Sequence, residues 1–341
     1  MNKQLKTLSR LVLYVAAFLL VFGLNASSAK AYGVRQTAQT QNSVTISWDK
    51  VTPLRNCQIT SLYLGYSEDY ETASNNAKAK QIKLPVGATS YTFNGLKPGT
   101  EYEVKVYYDE AGKNYKGQNV AYTHSVGSIT IKTTPGQVTG LNQLRWYRYI
   151  ETVDIGWNIQ TAADGYEYLF QTHKGKTIDS GVTPSASFSE KIKNYVVYKA
   201  QVRAYSTING VKYYGDWSPT GFFFTQPSKG NTDSVVNAKV SGSKLKVSWK
   251  KMDGVTGYNV FVSNKAHSGY KKVKSVKANK GSVTVSKYGK KKFKKNKTYY
   301  VYVQAYKTVN GHTFTSGVNY ITVLKKGHIS SIYSDSNGQY E

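Results

Sequence analysis

A single cysteine, Cys57, in 341 residues leaves the chain no intrachain disulfide. Whatever folds here must be held by buried apolar surface alone. Acid is scarce as well, with 19 Asp and Glu against 46 Lys and Arg. The five histidines, His124, His173, His267, His312 and His328, are scattered, and no two stand at a metal-ligand spacing such as His-x-x-x-His. A Gly-x-Ser-x-Gly elbow and a glycine-rich phosphate loop are both missing. The sequence therefore offers no catalytic residue, no metal site and no cofactor, and the chain is not expected to be an enzyme. A Leu-Pro-x-Thr-Gly wall-sorting signal is absent too.

One apolar run is present, at the start. Lys3, Lys6 and Arg10 precede Leu11–Leu24, and Ala29-Lys-Ala31 carries the small residues of a cleavage site, so residues 1–31 read as a signal peptide. A retained anchor is the lesser alternative, because the run falls short of the roughly 20 residues a spanning helix needs. The chain is thus expected to be secreted, with cell-surface association open to it and no stable membrane span. The leader and the scarcity of cysteine point to a bacterium.

The remaining sequence repeats a grammar three times. Leu96-Lys-Pro-Gly-Thr-Glu-Tyr102 is a corner followed by a strand in which Tyr102, Val104 and Val106 alternate with charged residues. Ile192 stands six residues before Tyr198, and Phe293 six before Tyr299, as Leu96 does before Tyr102. Each is preceded by an alternating strand ending in tryptophan: Val44 to Trp48, Val153 to Trp157 and Leu245 to Trp249. Between these landmarks runs a third strand, Gly165-Tyr166 to Thr172 and Gly257-Tyr258 to Ser263, degenerate in the first repeat as Leu62 to Ser67.

Together these features resemble the fibronectin type III domain, with its strand B tryptophan, strand C tyrosine and Leu-x-Pro-Gly-Thr-x-Tyr-x-Val corner. The resemblance implies an all-β chain of three tandem immunoglobulin-like β-sandwiches. Their expected spans are 32–134, 135–227 and 228–326, followed by a frayed polar tail, 327–341. Short joints favour a semi-extended rod, with a polar linker from Ser228 to Asp233. Each corner tyrosine is expected to bury its ring and to return its hydroxyl to the preceding backbone, while Tyr107 faces outward. No Arg-Gly-Asp occurs, so integrin-type adhesion is not implied.

Charge is concentrated in the third repeat, where residues 228–326 carry 22 lysines against Asp233 and Asp253. Twelve of these lysines fall between Lys271 and Lys297, with no acid among them. Strand order in such a sandwich brings the A to B, C to C′ and E to F connections, and the end of the last strand, to one pole. Lys271, Lys272, Lys290, Lys291, Lys292, Lys294, Lys295 and Lys297 should therefore converge on the pole facing away from the second repeat. Flexible point charges suit a diffuse polyanion better than a bidentate code, which would use arginine. The expected partner is an anionic polysaccharide or a teichoic-acid-like polymer. Another surface protein is an alternative, and extracellular nucleic acid would bind without specificity.

Arg145-Trp146-Tyr147-Arg148-Tyr149 reads either as an aromatic and cationic platform or as a wedge at the first joint, the wedge being preferred. Tyr300, Tyr302 and Tyr306 alternate with the buried set and should face outward. Trp146, Tyr147, Tyr149, Tyr300 and Tyr302 are accordingly the stacking residues of the competing function, a carbohydrate-binding accessory protein. The leading expectation is a non-catalytic exported adhesion or scaffold protein whose lysine-rich third repeat binds anionic polymers.

Overall fold

The computed structural model describes residues 33–68, 80–230 and 235–334. The expected leader lies outside the described residues. The described chain is all-β, without a helix, so no helix there is long and apolar enough to cross a membrane.

In chain order the sheets pair off as three sandwiches. The first comprises β1 (Arg35–Gln39), β2 (Ser43–Ser47), β3 (Cys57–Ser67), β4 (Lys80–Leu84), β5 (Ser90–Asn94), β6 (Glu101–Lys113) and β7 (Asn119–Lys132). Its sheets run β1-β2-β5 and β4-β3-β6-β7. The second adds β8 (Asn142–Tyr147), β9 (Thr152–Gly156), β10 (Gly165–Thr172), β11 (Thr177–Thr183), β12 (Ser187–Lys191), β13 (Tyr198–Ile208), β14 (Val211–Tyr214) and β15 (Gly221–Phe223). Here the orders are β12-β9-β8 and β11-β10-β13-β14, with β15 also on β13.

The third holds β16 (Asn237–Ser241), β17 (Lys244–Ser248), β18 (Gly257–Ser263), β19 (Lys271–Lys277), β20 (Ser282–Val285), β21 (Lys287–Tyr288), β22 (Lys291–Lys292), β23 (Thr298–Val309), β24 (His312–Thr315), β25 (Tyr320–Lys325) and β26 (His328–Tyr333). The sheet β16-β17-β20 faces β19-β18-β23-β25-β26, β24 joins β23, and β21 pairs β22.

Alternation explains the cores. Along β2, Val44 and Ile46 are buried, and Trp48 follows them in phase. Along β23 the buried set is Tyr299, Val301, Val303 and Ala305. The corner tyrosines behave alike in all three sandwiches. The backbone N–H of Lys97 donates to Tyr102 Oη at 2.9 Å, that of Lys193 to Tyr198 Oη at 2.7 Å, and that of Lys294 to Tyr299 Oη at 2.9 Å. The donor is five residues upstream each time, so the corner survives the loss of Pro-Gly in the second and third repeats. Leu96, Ile192 and Phe293, one residue earlier, are buried beneath it. A second such bond, which the sequence did not announce, ties the strand C tyrosines: Gln160 N–H to Tyr166 Oη at 2.9 Å and Met252 N–H to Tyr258 Oη at 2.7 Å.

Three expectations are corrected. Residues 328–333 are not tail but a strand, β26, paired with β25 in the register Lys325↔His328 to Tyr320↔Tyr333. The turn is made by Lys326 and Gly327 at φ 51° and 88°, a left-handed conformation that glycine adopts at little cost. Tyr107 lies on the outer face of its sheet yet is only 4% exposed, because Tyr63 stacks on it at 5.2 Å and Lys105 Nζ lies over its ring at 4.9 Å. Ser228, expected in a polar linker, is fully buried.

By compactness the chain forms two units. One holds Ile46–Tyr91 and Glu103–Thr130; the other holds Ala38–Thr45, Thr92–Tyr102 and everything from Ile131 onward. Within the second unit, one continuous apolar core takes Tyr195, Val197 and Phe224 from the second sandwich and combines them with Trp249, Tyr258, Phe293 and Tyr299 of the third.

Candidate polyanion interface

The expected lysines sit on the β21–β22 hairpin, on the connection from β22 to β23 and on the first two residues of β19. Lys290 is in the turn of the β21–β22 hairpin, whose cross-strand pairs are Lys287↔Lys292 and Tyr288↔Lys291. Tyr288 Oη donates to the Gly269 carbonyl at 3.1 Å, which ties the hairpin to the loop between β18 and β19. Lys271 Nζ reaches the same hairpin, 3.9 Å from where a Cβ on Gly289 would lie. Phe293 N–H donates to the carbonyl of Ser243 in the β16–β17 turn at 3.3 Å, and Lys297 N–H to Lys294 O at 3.2 Å. Those contacts tie the β16–β17 turn, the β18–β19 loop and the β21 to β23 segment to one another.

All eight lysines, Lys271, Lys272, Lys290, Lys291, Lys292, Lys294, Lys295 and Lys297, are exposed. Among the described residues none of them forms a salt bridge. Asp253, the one acid of residues 235–334, is engaged elsewhere, 3.6 Å from His173 Nε2 and 3.6 Å from Lys174 Nζ. Like charges directly opposite, as in Lys287↔Lys292, destabilise a strand pair by a few tenths of a kcal/mol. Counter-anions would relieve that repulsion.

The aromatic set does not form one surface. Trp146 is half-buried and donates from Nε1 to Asn194 Oδ1 at 3.1 Å. Tyr302 is half-buried, stacked on Phe261 at 4.7 Å and against Tyr270 at 5.0 Å, and burial raises its pKa. Tyr300, its neighbour in alternation, is half-buried too. Tyr147 and Tyr149 do face solvent, at 36% and 80% exposure.

Arg148 is the member of that segment with a defined task, and it acts at the second joint rather than the first. Only 8% exposed, it donates from Nη1 to Tyr195 Oη at 3.0 Å and from Nη2 to Thr225 Oγ1 at 2.6 Å and Gln226 O at 2.8 Å. Burial lowers its pKa, and Tyr195 opposes the shift. Asn194 Nδ2 returns a bond to Arg148 O at 2.9 Å and another to Glu151 Oε1 at 3.2 Å. Tyr195 itself is held at φ 64°, a conformation costing a bulky residue about 1 kcal/mol or more. Its hydroxyl donates to the Gly230 carbonyl and lies 2.7 Å from Ser228 Oγ. Lys250 Nζ covers its ring at 4.6 Å. Beside it, Asp253 N–H donates to Tyr195 O at 2.8 Å and Val197 N–H to Asp253 O at 3.0 Å. Gln226 closes the joint, with Nε2 donating to Tyr320 O at 2.6 Å and Oε1 accepting from Asn319 and Tyr320 N–H.

The second compact unit contains another set of polar ties. Lys132 Nζ lies 2.8 Å from Glu101 Oε1 and 3.4 Å from Asp164 Oδ1, and its pKa is raised chiefly by the Glu101 bond. Gln41 Nε2 donates to Asp216 Oδ2 at 2.9 Å. These are surface contacts, each worth little by itself.

Two carboxylate arrangements were not anticipated. Glu110, with a fully buried side chain, accepts from Leu54 N–H at 2.9 Å and meets His124 Nε2 at 2.9 Å. On the second sandwich Tyr168 Oη donates to Asp179 Oδ2 at 2.7 Å. Burial, and then the hydrogen bond to Asp179, push Glu190 up to about 7, while Asp179 is lowered by its bonds to Tyr168 and Glu190. Among the described residues no group of three or more His, Cys, Asp and Glu side chains could hold a metal ion.

No curated protein matches the chain in sequence. Among solved structures it is similar to a two-domain fibronectin type-III segment of chicken tenascin, at 17% identity and a TM-score of 0.29, over 56% of this chain and 97% of that one. It is also similar to the FN1-FN3 domains of chicken CNTN1, at 16% identity and a TM-score of 0.29, over 89% and 98%. The family profile described as Fibronectin type III domain matches residues 29–124, the part of the chain that carries the Trp48 strand and the Pro98-Gly99 corner with Tyr102.

Proposed function

We propose that this is an exported, non-catalytic adhesion or scaffold protein whose third sandwich docks on an anionic polymer of the cell envelope or its surroundings. The observation that carries the reading is the exposed, acid-free set of lysines at one pole, with no salt bridge to neutralise it among the described residues. Fibronectin type III domains are typically adhesion or scaffold modules, which agrees with the absence of catalytic motifs. The leader-like residues 1–31 supply export, and a bacterial surface is the setting they fit.

The joint supports the same reading. A core shared by the second and third sandwiches keeps the lysine-bearing module from swivelling on a loose linker, so force on the docked polymer passes into packed side chains. Binding of the mature chain, residues 32–341, to an anionic envelope polymer tests the proposal when repeated from low to high salt. Lysine-driven binding weakens steeply as the Debye length falls from about 10 Å at 0.1 M to about 3 Å at 1 M. Binding indifferent to salt would instead assign the contact to the exposed rings of Tyr147 and Tyr149.

A further inference from the structure

β26 is the last strand of its sheet and pairs with β25 alone. Its register runs unbroken from Tyr320↔Tyr333 to Lys325↔His328. Just beyond it, Ser334 N–H donates to Asn319 O at 2.8 Å, which fixes the phase of the ladder. Hydrogen-bonded pairs alternate with non-bonded ones between antiparallel strands, so the bonded pairs are Ile321↔Ile332, Val323↔Ser330 and Lys325↔His328. The main-chain N–H and C=O groups of Ile329, Ser331 and Tyr333 therefore point away from β25, and among the described residues no further strand takes them up.

An open edge of this kind is normally blunted by charge, by proline or by a bulge. β19, at the opposite edge of the same sheet, carries four lysines and a register shift in its ladder. β26, His-Ile-Ser-Ser-Ile-Tyr, has no Lys, Arg, Asp, Glu or Pro and no such shift, and Ile329 and Tyr333 are 39% and 59% exposed. Along the first half of the strand runs a groove of about 670 Å³, lined by His328 and Ile329 and by the exposed Lys239, Lys246, Lys295 and Lys326, with no carboxylate.

We propose that β26 is a docking edge for an extended acidic segment of a partner protein, which adds to the sheet as a further strand. The edge selects a polypeptide, because its donors and acceptors alternate at the spacing of a strand, and only another peptide backbone matches both. The lysines select acid. In an added strand every second side chain points to the same side, so carboxylates at alternate positions meet the ammonium groups of the groove. A second copy of this chain fits poorly, since residues 235–334 carry one acid, Asp253, and two such modules repel. The inference stands apart from the polymer docking proposed above, because it draws on the backbone of β26, which that reading does not use.

The test uses the mature chain and a capped synthetic peptide of about eight residues alternating Glu and Thr. Its comparisons are the same peptide N-methylated throughout, which keeps the charge and loses every main-chain donor, and a peptide alternating Lys and Thr. The acidic peptide should bind, and either change to it should weaken binding at least about tenfold. Ser331→Pro should do the same, since the Ser331 N–H faces away from β25 and proline there removes no ladder bond of the native sheet. In the unaltered protein the acidic peptide should slow hydrogen exchange at the Ile329, Ser331 and Tyr333 amides, a readout that does not depend on any variant folding. Binding without that protection, or equal binding of the N-methylated peptide, would overturn strand addition and leave charge attraction alone. Equal binding of the lysine peptide would overturn the acidic partner. Protection of the same amides that rises with protein concentration in the absence of peptide would give the edge to a second copy instead. No binding of the acidic peptide would overturn the proposal as a whole.

Discussion

Arg148 Nη1 and Tyr195 Oη lie 3.0 Å apart, 47 residues distant in sequence, and the bond between them braces, from within the second sandwich, a ring that the core of the third sandwich shares. Thr225 and Gln226 complete the acceptor set of the guanidinium. A buried cation is thus satisfied wholly by neutral oxygens and by the face of the Tyr195 ring, 5.3 Å away.

Replacing Arg148 with methionine keeps bulk and removes every donor. The variant should lose about 2–4 kcal/mol in denaturant titration, because the Tyr195 and Thr225 hydroxyls and the Gln226 carbonyl all lose their charged, buried donor. The loss should fall on the second and third sandwiches together.

Because Tyr195, Val197 and Phe224 belong to the core of the third sandwich, residues 234–326 alone lack part of it, along with β26. A segment spanning residues 135–334 should melt in one cooperative transition, and the 234–326 segment should melt lower or not fold. Calorimetry showing equal melting temperatures would mean that the joint contributes no stability.

Tyr102→Phe, Tyr198→Phe and Tyr299→Phe each remove one hydroxyl that accepts a backbone N–H, and each should cost about 0.5–1.5 kcal/mol. Tyr107→Phe should be neutral or stabilising, since its buried hydroxyl has no hydrogen-bond partner among the described residues. A cost at Tyr107 equal to that at the corners would contradict this.

Glu190 gives a pH signature. Its folded pKa of about 7 exceeds the unfolded value near 4.5, so the folded chain holds the extra proton between those values. The native state binds more protons in that window, and stability therefore falls as pH rises through it. Glu190→Gln should remove this slope and leave the variant more stable than the parent at pH 8. Asp179, lowered by Tyr168, works in the opposite sense and loses its contribution only in acid. Thermal melts from pH 5 to 8 check both the slope and its absence.

Much of the fold was legible because the repeat carries its own chemistry. A tryptophan closing an alternating strand, and a tyrosine six residues after an apolar anchor, each recur three times, and the corner bond forms with or without Pro-Gly. The concentration of lysine in the third repeat was legible by charge count alone, and its use as a binding pole is a proposal. Arg148 could have been placed by strand order. The A to B connection and the end of the last strand share a pole, and in the second sandwich that pole meets the third. The strand β26 was hidden because Ile329 and Ile332 fall on opposite faces, so no apolar alternation marks it, and nearly all of its residues are exposed. Ser228 was misread because small polar residues look like linker, and only the three-dimensional path shows Tyr195 covering it. Tyr107 obeys alternation, but a ring on the outer face is buried when its neighbours are another ring and a long aliphatic stem.

The central claim, that the charge is a located site, is tested most directly by binding of the mature chain to a long anionic envelope polymer at physiological salt. Replacing Lys290, Lys291, Lys292, Lys294 and Lys295 with glutamine should weaken binding at least about tenfold, or about 1.4 kcal/mol spread over five contacts. The same replacement at Lys50, Lys80, Lys83, Lys113 and Lys116, all exposed on the first sandwich, changes net charge equally and should have little effect. Equal losses in both variants, or no loss in either, would contradict the account.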